Sequence, residues 1–273
     1  MNLRDSPSQD GTVALFFGLV LLLSLPFYAL GLSHTALPFA DALPLSALMA
    51  CVPAIAALGL IARQSGIAAA VLLFKSAFSF GGLPNAGWVI LAVAFMPVAF
   101  ALTAGLIWLS GATLPPLQLL PVGAIIPALL LFFLGAVGEE LGWQGYAYPR
   151  LIKRHSALNT ALIIGVVWAL WHVIPFALMG RSAPWIIWQG LTMVLMRIIV
   201  VWLVVNTGGR ILIAVLFHMM SNSVWGFFAN FTPWYDPLFM CVVLLIAVAA
   251  IVWISKYDRR VLDISRSGKQ NSD

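Results

Sequence analysis

The chain has 273 residues, of which 62% are hydrophobic and only 8% charged, with a mean hydropathy of +1.03. Those figures exclude an ordinary soluble globular domain. The net charge of +5 therefore speaks to membrane orientation and to attraction for anionic lipid, not to nucleic-acid binding.

The apolar residues arrive in long runs rather than amphipathic stripes, and a run of about 20 is what a helix needs to cross about 30 Å of hydrocarbon. Taken in chain order, they predict an all-α, polytopic membrane protein with eight spans, near residues 12–32, 43–62, 86–109, 119–142, 158–178, 184–205, 211–230 and 236–255. The first run follows Arg4, Asp5 and Asp10. It is longer than a signal-peptide core of about 7–15 residues, so it is read as a retained helix. Cys51 and Cys241 fall inside apolar runs, where thiols act as small hydrophobes and set no disulfide framework. Residues 64–85, "QSGIAAAVLLFKSAFSFGGLPN", are interrupted and fit a short interfacial helix. No internal repeat is visible, so an inverted-repeat transporter gains no support.

Basic residues orient the bundle. With the N-terminus inside, one side collects Arg4, Arg63, Lys75, Arg150, Lys153, Arg154, Arg210, Lys256, Arg259, Arg260, Arg266 and Lys269, while the other keeps Arg181. This gives an N-in, C-in arrangement of a single integral membrane domain, residues 1–273. His34 and His155 fall in loops.

Five ionisable side chains lie inside spans: Glu139, Glu140, His172, Arg197 and His218. Each costs about 2.5–3.5 kcal/mol on insertion scales for the charged types, so their positions are informative. "GEELGWQGYAYPR", residues 138–150, holds the chain's only glutamates, side by side. With the span ending near 142, they sit shallow, close to the cytoplasmic interface. Neighbours on a helix are turned by about 100°, so one carboxylate can face a cavity while the other holds an adjacent helix. The plainer reading is that both reach the headgroups. "WALWHVIPF", residues 168–176, surrounds His172 with Trp168, Trp171 and Phe176. That bulk keeps an imidazole dry and neutral, as a base or metal ligand requires, although packed histidines also serve only as hydrogen-bonding residues. "FHMMSNS", residues 217–223, places His218 and Asn222 four apart on one helical face, with Ser221 beside them. Such a pair binds one ligand jointly or ties two helices together. As a set, carboxylates, imidazoles and an amide are the parts of a hydrolytic site.

The segments "EELGWQGYAYPRL", "WALWH" and "FHMMSN" resemble the three signature motifs of the CPBP family, intramembrane proteases related to the type II CAAX prenyl protease and also called Abi-type proteins. The resemblance covers residues 118–228. It implies an eight-helix bundle with a conical cavity open toward the cytoplasm and lipid, and endoproteolysis within it. By motif position, Glu139 would activate water with His172, His218 and Asn222 would stabilise the oxyanion or hold a metal, and Glu140 would support them. One position departs: the family's first motif runs Glu-Glu-x-x-x-Arg, and this chain has Gln144 in place of the arginine. Arginine there would hold a carboxylate by a charge-assisted pair. Arg197, about 12 Å inside its own span, is the candidate substitute. His172, some 20 Å from the start of its span, is predicted to lie deeper than the glutamates.

Glu139, His172 and His218 also form a plausible ligand set for zinc, though without the local His-Glu-x-x-His spacing. The expectation is thus an intramembrane endopeptidase of a bacterial cytoplasmic membrane, metal-assisted or not, acting on a membrane-associated peptide or protein. Its rivals are a non-catalytic scaffold or bacteriocin-immunity protein of the same fold, and a proton-coupled transporter.

Overall fold

A computed structural model describes residues 9–33, 36–37, 40–82, 85–226 and 232–257. Among the described residues ten α-helices follow one another: α1 Gln9–Gly31, α2 Val52–Ser65, α3 Ile67–Ser76, α4 Gly87–Leu109, α5 Val122–Gly142, α6 Tyr148–Leu151, α7 Ala157–Leu178, α8 Ala183–Asn206, α9 Ile211–Gly226 and α10 Pro237–Tyr257. A 3-10 turn, Leu45–Cys51, leads into α2, and a short antiparallel pairing of Ala36–Leu37 with Ala40–Pro44 precedes it. Helices make up most of the described residues, as hydrocarbon demands of a chain that must satisfy its backbone internally.

Seven helical segments among the described residues are long and apolar enough to cross a membrane, against the eight spans predicted. The difference falls at the seventh, predicted at 211–230. Its described part, α9, is 16 residues long, and residues 227–230 lie outside the described residues. Most of α9 is buried, between α4 and α5, so it meets protein rather than lipid along much of its length.

The fourth span differs more. The sequence predicts its end near 142, but it continues without a break from Val122 to Leu151, 30 residues. The continuation is a five-residue π-helical stretch, Trp143–Ala147, followed by α6. A π-turn inserts one residue and re-aims those beyond it, and here Trp143, Gln144, Tyr146 and Ala147 all face inward. About 18 Å of helix separates Glu139 from Leu151, against about 5 Å to a span end near 142. His172 lies about 22 Å from Ala157, where α7 begins, so the predicted gap in depth between histidine and glutamates closes to about one turn.

Close helix approach sets these positions. A Cβ on Gly138 would sit 2.5 Å from the Ala50 carbonyl oxygen, and one on Gly165 would sit 3.2 Å from Val194 Cα and 3.1 Å from Arg197 Cβ. Glycine lets α5 meet the turn before α2 at a range that admits no Cβ, while at Gly165 a Cβ would require α8 to give by a few tenths of an ångström, close approach of the kind small residues allow between membrane helices. Gly138→Val is expected to destabilise the bundle by about 1–3 kcal/mol, the usual cost of overpacking, read as a lowered Tm in detergent. An unchanged Tm would mean that α5 can shift freely.

Polar staples add to the packing. Trp171 Nε1 donates to Ser24 Oγ at 2.7 Å and Tyr28 Oη donates to the Trp171 carbonyl at 2.8 Å, fastening α1 to α7. Gln64 Nε2 donates to Tyr146 Oη at 3.1 Å, and Arg150 donates to Gln64 Oε1 at 3.2 Å, which brings the end of α2 beside α6. Ser156 caps α7 by accepting the Asn159 N–H at 3.2 Å. The short helix predicted within 64–85 is α3, which buries none of its residues.

Candidate active site

Glu140 is fully buried and both of its oxygens are engaged. Arg197 Nη1 on α8 donates to Oε2 at 2.7 Å, and His218 Nδ1 on α9 meets Oε1 at 2.8 Å. Arg197 is 1% exposed. An ionised carboxylate only accepts, so the proton of this bond belongs to His218 Nδ1, and the opposite ring nitrogen is directed elsewhere. That nitrogen, Nε2, lies 3.9 Å from Glu139 Oε1.

Glu139 has a different environment. Its Oε2 accepts Trp168 Nε1 at 2.6 Å and Trp143 Nε1 at 3.3 Å. No hydrogen bond to Oε1 occurs among the described residues. The adjacent glutamates thus divide as helical rotation requires: Glu140 is clamped by a cation and an imidazole, while Glu139 is steered by two indoles and keeps one oxygen open toward His218.

His172 is half-buried and its Nδ1 bonds the Trp168 carbonyl at 2.9 Å. A carbonyl accepts, so Nδ1 carries hydrogen, and in the neutral ring the lone pair is then on Nε2. The Trp168 ring lies between both histidines, with centroids 5.4 Å from each, edge-on, and the Arg197 guanidinium stands 4.5 Å over its face. Trp168 therefore touches Glu139 through its N–H, Arg197 through its face and both histidines edge-on.

Two predicted residues stand apart. Asn222 lies one turn beyond His218, half-buried, and no hydrogen bond links it to the glutamates or histidines. Gln144, 2% exposed, makes none through either amide atom among the described residues. The position where the motif's arginine would stand thus carries a buried amide that pairs with nothing, and the cation comes from α8. Trp143 is a residue that the sequence reading did not assign. Its spacing of four from Glu139 on a helix was the available signal.

No three His, Cys, Asp or Glu side chains are grouped as a metal ion would need among the described residues. Glu140 and the Nδ1 atoms of both histidines are already committed, leaving Glu139 Oε1 and the two Nε2 atoms. No step below passes through a metal. A cavity of about 1120 Å³ opens between α4, α9 and residues 111–117, meeting α9 at Met220 and Val224. These lie on the opposite face of α9 from His218 and Asn222, by the 100° rotation per residue.

Fold and cluster define a polytopic helical membrane protein with an acid–imidazole site buried between α5, α7, α8 and α9. Residues 121–224 match the family described as type II CAAX prenyl endopeptidase, Rce1-like. Over 106 residues the chain is 35% identical to CAAX prenyl protease 2 of Methanococcus maripaludis, an alignment covering 36% of this chain and 39% of that protein. The segment carrying the three motifs is thus similar to type II CAAX prenyl proteases. The chain thus spans about two fifths of the length of the curated relative it matches.

Proposed function

We propose that the protein is an intramembrane endopeptidase that hydrolyses a peptide bond in a membrane-associated protein or peptide. The observation that carries this reading is the open Glu139 Oε1 facing His218 Nε2 at 3.9 Å, an acid and an imidazole that one water can bridge.

Glu139 Oε1 takes a proton from that water while the water oxygen attacks the scissile carbonyl carbon. The new C–O bond forms as the carbonyl π pair moves onto oxygen. His172, with its Nε2 lone pair, assists as a second acceptor. His218, as an imidazolium whose Nδ1–H is held by Glu140, donates its Nε2–H to the oxyanion, and Asn222, one turn further along α9, donates its amide N–H. Collapse of the intermediate breaks the C–N bond, and the proton on Glu139 passes to the leaving amine. The two indoles on Oε2 hold Glu139 so that Oε1 remains directed at the water. Arg197 supplies the charge that fixes Glu140, in the place of the motif's arginine.

The substrate follows from the burial: a site this deep takes a segment that enters the membrane. We infer a bacterial cytoplasmic membrane with both termini inside, from the basic ends of α2, α3 and α6 and the Arg210 turn.

The test is purified protein in liposomes given membrane-tethered peptides, with products read by mass spectrometry. Cleavage at a defined bond is expected, and it should persist in preparations shown to be metal-free. Activity lost to a chelator and restored by zinc would replace Glu139 as the sole activator with a metal-bound water. The absence of cleavage across a broad peptide set would favour the scaffold reading, which the lost motif arginine at Gln144 supports.

A further inference from the structure

A second site lies away from the glutamates. A cleft of about 310 Å³ opens where α3 meets the turn between α8 and α9, and its walls include Lys75, Ser76, Ser79, Gly209 and Arg210. Both Lys75 and Arg210 line it. Neither pairs with a carboxylate among the described residues, where the ion pairs are those of Arg197 and His218 with the glutamates. Arg210 Nε is buried and donates to no described group.

The arginine is seated rather than loose. Gly82 has φ +77°, and a Cβ there would collide with the Arg210 guanidinium, so the loop after α3 holds the side chain against bare backbone. A solvated surface charge needs no such seat.

The surroundings say what kind of anion fits. Ile67, Val71, Leu72, Phe74 and Phe80 are all exposed, and α3 buries none of its residues fully, meeting the core through the half-buried Leu73. A helix with that character lies along the membrane interface with its apolar side chains among the acyl tails. Basic pockets between membrane helices at that level take lipid phosphate groups.

We propose that the Lys75–Arg210 cleft binds the phosphate of an anionic phospholipid headgroup, with the acyl chains lying along the exposed apolar side chains of α3. The cations neutralise the phosphate, and the half-buried hydroxyls of Ser76 and Ser79 border it. A free phosphate ion shares this headgroup chemistry but gains nothing from the apolar flank. The proposal does not depend on the protease reading.

The test uses the full chain in detergent and in nanodiscs. Retention of phosphatidylglycerol and phosphatidylcholine is measured by native mass spectrometry, and Tm is measured with each lipid and with inorganic phosphate alone. Phosphatidylglycerol should be retained over phosphatidylcholine and should raise Tm. Lys75→Gln and Arg210→Gln should each weaken phosphatidylglycerol binding about five-fold, and about 25-fold together. Lys153→Gln, at the same end of the bundle but outside the cleft, should change it less than two-fold. Lys75 is exposed, so its single variant reports even if Arg210→Gln does not fold. Wild-type affinity in Lys75→Gln, or an equal loss in Lys153→Gln, overturns the site. Protection by inorganic phosphate equal to that by phosphatidylglycerol overturns the assignment to lipid.

Discussion

Arg197→Met is expected to lower stability by about 3–5 kcal/mol, the cost of leaving a buried carboxylate without its cation, and to lower cleavage by 100-fold or more. The two losses have separate origins. Stability falls because Glu140, at 0% exposure, cannot recover its hydration. Activity falls because Glu140 also holds His218 Nδ1 at 2.8 Å, and a shift of about 1 Å in a group that must meet the substrate costs about 100-fold. A second substitution separates them. Arg197→Met with Glu140→Gln removes both charges, so most of the lost Tm should return, while cleavage should stay low because the neutral amide no longer clamps the ring as a carboxylate does. Arg197→Met with Gln144→Arg should recover part of both, by restoring a cation at the motif position. Wild-type Tm and turnover in Arg197→Met would mean that the pair is incidental.

Much of this arrangement was legible in the sequence, for a physical reason. In a chain with 8% charged residues, each ionisable group inside an apolar run is expensive, so Glu139, Glu140, His172, Arg197 and His218 stood out. The helix spacing of His218 and Asn222 placed them on one face of α9, and the missing motif arginine directed attention to Arg197. What could not be read was geometry that depends on a local break in helical period. Nothing in "LGWQGYAYPRL" announces a π-turn over Trp143–Ala147, so hydropathy alone ends the span near 142, whereas the helical segment runs on to Leu151. The division of labour between the glutamates was also hidden. Rotation says that they differ, but only the positions of α8 and α9 decide that Glu140 takes the arginine and the imidazole. The short α9 escaped for the opposite reason: hydropathy measures apolar length, and a helix packed inside protein is as apolar as one facing lipid. Its N-terminus lies level with the π-turn, since a Cβ on Gly145 would meet Ile211 Cδ1 at 3.2 Å, and from there seven residues bring His218 to the depth of the glutamates.

Glu139→Gln carries the largest expected effect on chemistry. The amide is nearly isosteric, and its oxygen can still accept from Trp168 and Trp143, so the bundle should keep its Tm within about 1 kcal/mol of stability. The amide cannot take a proton from water. General-base catalysis contributes about 100- to 10,000-fold, and the hydrolysis rate should fall by at least that range, with KM little changed because the substrate's binding surface is untouched. Glu140→Gln behaves otherwise, because it uncouples Arg197 and His218 and should lower Tm and turnover together. The decisive measurement is therefore the single-turnover cleavage rate of a membrane-tethered peptide by wild type and Glu139→Gln in liposomes, with Tm recorded on the same preparations. Equal Tm with a rate reduced at least 100-fold is the expected result. Equal rates at equal Tm would contradict water activation at Glu139, whatever the fold.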